Sequence, residues 1–112
     1  MIIVTARYLR QATAKYLDAA KEIASWAKVV NAVYWTSFRE VRKHFPDADA
    51  VDGYVIFNIR HNRYRLITVI HYSKTIGSVQ ARGHVYIRSF LTHSEYNDRA
   101  NWDRKHASRK PR

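Results

Sequence analysis

The chain has 112 residues, 46% hydrophobic and 26% charged, which fits one packed domain and excludes both a disordered chain and a second core. Lysine and arginine number 20 against 9 acidic residues, and the net charge of +11 exceeds the roughly 2 to 8 that solubility needs, which indicates a polyanionic partner. The chain has no cysteine, which excludes disulfides and thiolate metal sites.

The first half of the sequence predicts a short strand and then a helical hairpin. Residues 2–4 are β-branched and suit a strand, and Thr5 is a candidate N-cap for a helix that ends at Lys15. Asp18 is a candidate cap for a second, longer helix. Its apolar stripe is predicted to contain Ala20, Ile23, Ala24, Ala27, Val30 and Tyr34.

A third, short helix is predicted after Ser37. Ser37 and Glu40 have the spacing of a capping box, and Pro46 ends the helix. Residues 47–53 are acidic and rich in turn-forming residues, and they are predicted to form a loop.

The hydrophobic period changes to two at residue 54, which predicts a sheet. The predicted strands are residues 54–60, 63–72 and 84–91, with a turn at His61-Asn62 and a long hairpin loop at residues 73–83. In the first strand Val55, Phe57 and Ile59 lie on one side. In the third strand Val85, Ile87 and Leu91 point one way, and Tyr86, Arg88 and Phe90 point the other.

The end of the chain predicts a last helix and a tail. Thr92 and Glu95 repeat the capping-box spacing at the start of a helix that could extend to Trp102. We expect one domain over residues 1–103, followed by a basic disordered tail at residues 104–112. No apolar run approaches the roughly 20 residues that span a bilayer, and no secretory signal is evident, so we expect a cytoplasmic protein with no membrane partner.

Positive charge is concentrated in the second half of the chain, at +9 from Arg60 onward against +2 before it. The open strand faces and the last helix collect side chains that could act on RNA. These are Asn58, Arg60, Arg65, Arg88, His93 and Tyr96. The six histidines form no H-x-x-x-H pair and have no acidic cluster beside them, so we expect no metal site and no cofactor.

This set of residues suits cleavage of RNA without a metal. The 2′-hydroxyl must lose a proton, the 5′-oxygen must gain one, and the extra phosphoryl charge must be stabilised. Arginine suits the last task because its planar fork binds two phosphate oxygens. His93 could be the acid or the base, and Tyr86 or Tyr96 could stack on a base or position the phosphate. Each residue taken singly also fits an ordinary role, as a solvated charge, a surface histidine or a half-buried tyrosine.

Three linked segments resemble the HigB family of toxins. Residues 55–66, VIFNIRHNRYRL, resemble the family's vFNIkgNkYRL hairpin, and residues 86–88 and 92–98, YIR and THSEYND, are similar to its yIRfvgTHaeYD segment. Phe45-Pro46, before the acidic loop, also fits. His61 departs from the family's usual glycine, and the loop at residues 73–83 is longer than typical.

The resemblance implies a RelE-like α+β fold, with an N-terminal helical hairpin packed on a small antiparallel sheet and a short C-terminal helix. It implies a ribosome-associated endoribonuclease that cleaves mRNA and arrests translation, and a cognate HigA-like antitoxin. Together with the chemistry above, it predicts catalytic roles for Arg65, Arg88, His93 and Tyr96. It predicts RNA-binding roles for Asn58, Arg60, Asn62, Arg63 and Tyr86.

Two other classes of function remain open from the sequence. A non-catalytic RNA- or ribosome-binding module would use the same positive charge, with an affinity that falls steeply with salt. A DNA-binding regulator is a third possibility, although no helix-turn-helix pattern is evident. A neutralising partner is expected to lay an acidic or helical segment over the basic face or against the helical hairpin.

Overall fold

Four α-helices and seven strands make up residues 1–103, the part of the chain that the computed structural model describes. The helices are α1 (Arg7–Lys15), α2 (Ala20–Ala32), α3 (Phe38–His44) and α4 (His93–Tyr96), with single 3-10 turns at Leu17–Ala19 and Arg99–Asn101. The strands are β1 (Ile2–Val4), β2 (Asp49–Val51), β3 (Tyr54–Ile59), β4 (Tyr64–His71), β5 (Lys74–Ile76), β6 (Val79–Ala81) and β7 (His84–Thr92). The predicted tail, residues 104–112, lies outside the described residues.

Five strands form one sheet in the order β1-β7-β4-β3-β2, and the predicted α+β class is confirmed. Strands β7, β4, β3 and β2 are each antiparallel to the next, whereas β1 runs parallel to β7, so the sheet is mixed. Helix α1 packs against β7 and α2 packs against β1. Among residues 1–103, no helix is long and apolar enough to cross a bilayer.

The two sides of the sheet are buried by different parts of the chain. The helices cover the side of Val55, Phe57 and Ile59, as predicted, and form the main core with them. On the opposite side, which we call the open face, a smaller cluster forms around Trp102. Its other buried members are Ile56, Ile67 and Leu91. Part of the open face is therefore covered, because the segment after α4 folds back and Trp102 packs on the centre of the sheet.

A β-bulge in β7 overturns the predicted facing of its last residues. Ile67 pairs with Ser89 and Thr68 pairs with Ile87, so one residue of β7 is inserted between two consecutive pairs. Because one extra residue reverses the alternation of side chains, Leu91 lies on the open face and Phe90 packs towards the main core. The sequence pattern alone had placed Leu91 with Val85.

Residues 47–53 are not only a loop, as predicted, but contain the edge strand β2. Asp49–Val51 pairs with β3 through a tight turn at Asp52-Gly53, where both residues have positive φ. The Asp-Gly dipeptide is a strong hairpin signal, so β2 could have been predicted from the sequence. Residues 73–83 likewise form more than a loop, since β5 and β6 pair there as a small separate hairpin.

Two predicted helix caps are wrong, although the helices are present. Ala6 is the N-cap of α1, because Thr5 has a φ of +69° and turns the chain out of β1 instead. The carboxylate of Asp18 caps no helix, because it binds Arg63 and Tyr64 at the start of β4. The contacts of Asp18 with Arg63 and Tyr64 therefore take the place of the predicted cap.

The two capping-box sequences have different outcomes. At α4 the box forms, with the Glu95 N–H donating to the Thr92 hydroxyl and the Thr92 N–H donating to the Glu95 carboxylate. At α3 Ser37 makes no side-chain cap, and Glu40 accepts hydrogen bonds from Thr36 instead. Helix α4 also ends at Tyr96, well before Trp102.

The buried stripe of α2 differs in part from the predicted one. Ile23 and Val30 are buried as expected, whereas Ala24 and Tyr34 are exposed. Trp26 is buried in their place and contacts Phe57 edge to face at 5.3 Å. The large indole decides which side of the helix faces the sheet, because it buries more apolar area than an alanine.

Candidate nucleic-acid interface

A groove of about 530 Å³ lies on the open face, between the β3–β4 hairpin and the segment that follows α3. We call it the Arg65 groove. The residues that line it are Arg42, Pro46, Asp47, Ala48, Asp49, Ile56, Asn58, Asn62, Arg65 and Tyr96. Four predicted site residues therefore share one surface, and these are Asn58, Asn62, Arg65 and Tyr96.

The sheet brings Asn58 and Arg65 together as direct cross-strand partners in β3 and β4. Such partners have Cβ atoms about 5 Å apart, so their side chains act on the same ligand. Asn58 Nδ2 donates to the Asp47 backbone oxygen at 3.3 Å, and Arg65 Nη1 donates to the Asn62 backbone oxygen at 2.8 Å. These bonds use one donor of each side chain and leave further N–H groups to bind an anion.

Tyr96 forms the wall of the groove beside Arg65. The guanidinium carbon of Arg65 lies 5.0 Å from the centre of the Tyr96 ring, within the range of a cation–π contact. Tyr96 is half-buried and is held by α4, which begins at the capping box of Thr92. The groove therefore combines a guanidinium, an amide and a phenol, which are the groups that bind phosphate and stack on bases.

Arg42 is a groove residue that the sequence reasoning missed. It lies in the last turn of α3, and its Nε and Nη2 donate to the Pro46 backbone oxygen at 3.2 and 2.9 Å. Arg42 and Arg65 line the same groove although they belong to α3 and β4. The sequence signal was the basic run at Arg42, Lys43 and His44 in the last turn of α3, to which no role had been assigned.

Arg88 and Tyr86 lie on the open face but outside the Arg65 groove. Arg65 pairs with Leu91 of β7, and at about 3.3 Å per residue Arg88 lies about 10 Å further along the strand. The Arg88 guanidinium is 6.0 Å from the ring centre of Tyr86. The Trp102 cluster lies between the two arginines, so the structure does not gather them around one phosphate.

Arg88 has an acidic neighbour on the open face. Arg88 Nε is 3.6 Å from Asp103 Oδ2, within ion-pair range, and this buried N–H has no hydrogen-bond acceptor among residues 1–103. The Tyr54 hydroxyl donates to the same carboxylate at 3.2 Å. Burial and then the Asp103 carboxylate raise the pKa of Tyr54. The charge of Arg88 is therefore partly neutralised by the chain itself.

Arg60 and Arg63 lie in the turn between β3 and β4, and their contacts are with the helical side. The predicted turn at His61-Asn62 is confirmed, since the Arg63 N–H donates to the Arg60 oxygen at 3.1 Å. The φ of His61 is +59°, a region that favours glycine, which accounts for the family's glycine at this position. The Arg60 N–H donates to Glu22 of α2 at 2.9 Å.

Arg63 forms an ion pair with Asp18 and remains 61% exposed. Its Nη1 lies 2.8 Å from Asp18 Oδ2, and the Tyr64 hydroxyl donates to the other carboxylate oxygen at 2.7 Å. The hydrogen bond from Tyr64, followed by that from Arg63, lowers the pKa of Asp18. This arrangement ties the turn to the 3-10 turn before α2, on the side away from the groove.

His93 begins α4 and is exposed, and it does not line the Arg65 groove. Its backbone N–H donates to the Arg63 oxygen at 3.0 Å, which anchors the start of α4 to the β3–β4 turn. Its imidazole is three residues before Tyr96 on the same helix, so the two side chains are neighbours on the helix surface. His93 therefore lies beside the groove and not within it.

The segment that forms strands β3 to β7 carries only basic charge, whereas the groove itself is lined by both arginines and aspartates. Residues 53–94 include no aspartate or glutamate, but they contain six lysines and arginines. The acidic groups at the groove come from outside this stretch, in Asp47 and Asp49. Within residues 1–103, no group of three or more histidine and carboxylate side chains is placed to hold a metal ion. The site as described therefore offers arginines as its cationic groups.

Helices on one side of a sheet, and arginine, asparagine and tyrosine on the other, define a small α+β protein of the RelE-like class. A model of the HigB toxin family, the RelE-like toxic component of a toxin-antitoxin system, matches residues 19–99, and the chain belongs to this family. A toxic component implies an antitoxin as its partner.

Three relatives with known names agree with this assignment. The chain is 23% identical to the mRNA interferase toxin HigB of Escherichia coli (strain K12) over 100 residues, which cover 87% of this chain and 88% of that protein. It is similar to the same extent to the mRNA interferases HigB of Escherichia coli O157:H7 and Shigella flexneri. The resemblance of the hairpin and of the THSEYND segment therefore extends over most of the chain.

Proposed function

We propose that this protein is an mRNA endonuclease that acts on translated mRNA in the cytoplasm and so arrests translation. The observation that carries the proposal is the placement of Arg65, Asn58 and Tyr96 around one groove in a chain of the HigB family. The names of the relatives, which are mRNA interferases, support the same activity.

In the proposed reaction the scissile phosphate binds in the Arg65 groove. Arg65 binds two phosphoryl oxygens and stabilises the charge that builds up when the 2′-oxygen bonds to phosphorus and the bond to the 5′-oxygen breaks. The Asn58 amide orients the same phosphate, and the Tyr96 ring stacks on a flanking base or its hydroxyl donates to the phosphate. The products would be a 2′,3′-cyclic phosphate and a 5′-hydroxyl.

Proton transfer is assigned to α4. His93 is adjacent to the groove, and an imidazole can both donate and accept a proton, so it can exchange a proton with the 2′- or 5′-oxygen once RNA is bound. Hydrogen bonds between catalytic groups and the reacting atoms often form only in the complex with substrate. The proposed mechanism needs no metal ion.

Five further residues are proposed to bind the RNA on either side of the cleaved bond. These are Arg88, Tyr86, Asn62, Arg60 and Arg63. Arg88 and Tyr86 lie further along the open face, and Asn62, Arg60 and Arg63 lie at the β3–β4 turn. Flanking contacts of this kind fix the register of the strand. We further propose that the substrate is presented by the ribosome and that the antitoxin is HigA-like.

The test is expression of the chain without its antitoxin, followed by mapping of mRNA ends. Growth arrest and new 5′-hydroxyl ends within translated messages are expected. Purified protein should then cut mRNA on translating ribosomes in the presence of a chelator. Intact messages in arrested cells, or intact growth, would contradict an endonuclease.

A non-catalytic RNA- or ribosome-binding module is the second candidate, and the position of His93 outside the groove favours it. Such a protein would arrest translation without shortening mRNA. Product chemistry separates the two candidates, since a cyclic or 3′-phosphate end requires cleavage.

A further inference from the structure

Trp102 covers the centre of the open face, although it lies beyond the residues that match the family. Its side chain is only 6% exposed and packs on Ile56, Ile67 and Leu91 from three neighbouring strands. A whole indole is thus buried on the side of the sheet where RNA is proposed to bind. Its contacts with Tyr96 indicate a role for it there.

Trp102 holds Tyr96 through two contacts. The two rings stack with their centres 4.9 Å apart and their planes within 12° of parallel. The indole Nε1–H also donates to the Tyr96 backbone oxygen at 2.9 Å. Tyr96 is the last residue of a helix of four residues, which has few bonds of its own to fix the ring.

Trp102 is itself fixed on several sides. The Ser89 hydroxyl donates to its backbone oxygen at 2.6 Å, which ties it to the bulge of β7. The Arg99 guanidinium lies 4.4 Å from the indole, and the Tyr54 ring meets it edge to face at 5.8 Å. The indole is therefore a rigid support that the sheet orients.

The same stack continues into the groove. Tyr96 contacts Trp102 and also carries the Arg65 guanidinium at 5.0 Å from its ring centre. Arg65 is otherwise tied to the protein by one hydrogen bond to the Asn62 oxygen. The direction of the proposed phosphate-binding group thus depends on a buried residue that never touches the groove.

We propose that Trp102 is a positioning residue, which fixes the Tyr96 ring and through it orients Arg65 for cleavage of the bound RNA. The inference rests on the proposed function of the Arg65 groove. A misplacement of about 1 Å at a catalytic group can lower a rate by about a hundredfold, whereas binding through several phosphates is far less sensitive to the position of one group. The expected signature is therefore a loss of rate without a matching loss of RNA affinity.

The test compares Trp102→Leu with Trp26→Leu. Trp26 is a suitable control because it is 2% exposed and lies on the other side of the sheet, against Phe57. Single-turnover cleavage is measured on mRNA bound to translating ribosomes, and affinity is measured on the same complexes with a 2′-O-methyl group at the cleaved position of the mRNA. Both are measured well below the melting temperature of each variant.

Trp102→Leu is expected to lower the cleavage rate about tenfold or more, with affinity within about threefold of wild type. Trp26→Leu should lower the melting temperature and leave both the rate and the affinity close to wild type. Equal rates for wild type and Trp102→Leu would overturn the inference, as would an equal loss of rate in both variants. A wild-type protein that does not cleave at all would instead overturn the proposed function.

Trp102→Phe keeps the test decisive if the leucine variant does not fold. It retains a ring against Tyr96 but loses the N–H that donates to the Tyr96 oxygen. An intermediate rate with unchanged affinity is expected, read against Trp26→Phe. A rate equal to that of wild type would contradict the positioning role.

Discussion

The guanidinium of Arg65 lies against the ring of Tyr96, 5.0 Å from its centre, although one residue belongs to β4 and the other to the helix that follows β7. The contact joins the best-placed cation of the groove to its only tyrosine among the lining residues. It makes these two side chains a unit, so a change in either should affect the other.

Arg65→Ala should lower the rate of RNA cleavage by about a hundredfold or more, because it removes the group proposed to stabilise the phosphoryl charge. Arg65→Lys should recover only part of the rate, since an ammonium neither binds bidentately nor stacks on Tyr96 in the same way. Single-turnover cleavage and growth arrest on expression are the measurements.

Arg10→Ala is the matched control, because it removes one exposed positive charge from α1, on the other side of the sheet. Its cleavage rate should stay within about twofold of wild type. If Arg65→Ala behaves like Arg10→Ala, Arg65 has no part in the reaction.

Thr92→Ala should lower the free energy of unfolding by about 1 kcal/mol, because the capping box of α4 loses a bond to the Glu95 N–H. Ser37→Ala changes a residue with the same sequence pattern but no side-chain cap, and should cost less than about 0.5 kcal/mol. Urea unfolding of the two variants measures the difference. Equal losses would show that the two boxes do not differ as described.

Asp18 should contribute to stability in a pH-dependent way. Its pKa is lowered in the folded chain, first by the Tyr64 hydroxyl and then by Arg63, so folding favours the ionised form. The contribution is present above the unfolded pKa of about 3.9 and is lost as the pH falls through the lower folded value. Asp18→Asn should therefore be less stable than wild type at neutral pH, and the difference should shrink below about pH 4.

Tyr64→Phe tests the cause of that effect, because it removes the bond that lowers the pKa of Asp18 most. The acid part of its stability profile should become shallower, whereas Tyr72→Phe, at a tyrosine whose pKa is raised by burial, should leave that part unchanged. Urea midpoints between neutral pH and about pH 3 decide the matter. A difference between wild type and Asp18→Asn that is constant over this range would contradict the coupling.

Asp103→Asn should strengthen RNA binding if Arg88 contacts a phosphate. Asp103 lies 3.6 Å from Arg88 Nε and offsets its charge, so its removal should raise affinity at low salt and make the salt dependence steeper by up to about 0.7 in log–log slope. Asp52→Asn is the control, because Asp52 pairs with Arg99 at 3.0 Å in an exposed position. The same change in both variants would indicate only a general effect of net charge.

Much of the fold follows from local patterns. The alternation in residues 54–59 predicted the inner side of β3 because one side of the strand is buried against the helices. The capping box at Thr92 and the end of α3 before Pro46 were also predictable, since each depends on residues within one turn of helix. Asp52-Gly53 was a local signal of this kind, and it went unused.

The errors come from contacts between distant residues. Asp18 was expected to cap α2, but it binds Tyr64 and Arg63 at the start of β4, more than 40 residues along the chain. The facing of Leu91 was wrong because the bulge in β7 depends on its register with β4, which is set by the whole sheet. The catalytic roles of Arg65 and Arg88 stay predictions, but the strand register places Arg88 about 10 Å along β7 from Leu91, the partner of Arg65.

The sequence by itself determined the basic charge, the α+β class and the family, because these depend on composition, hydrophobic period and short motifs. Only the tertiary structure decided which cations share a surface, why Arg42 joins Arg65, and how Trp102 supports Tyr96. The physical reason is that side chains from different elements meet only after strand register and chain reversals are fixed, and these are cooperative properties of the packed core.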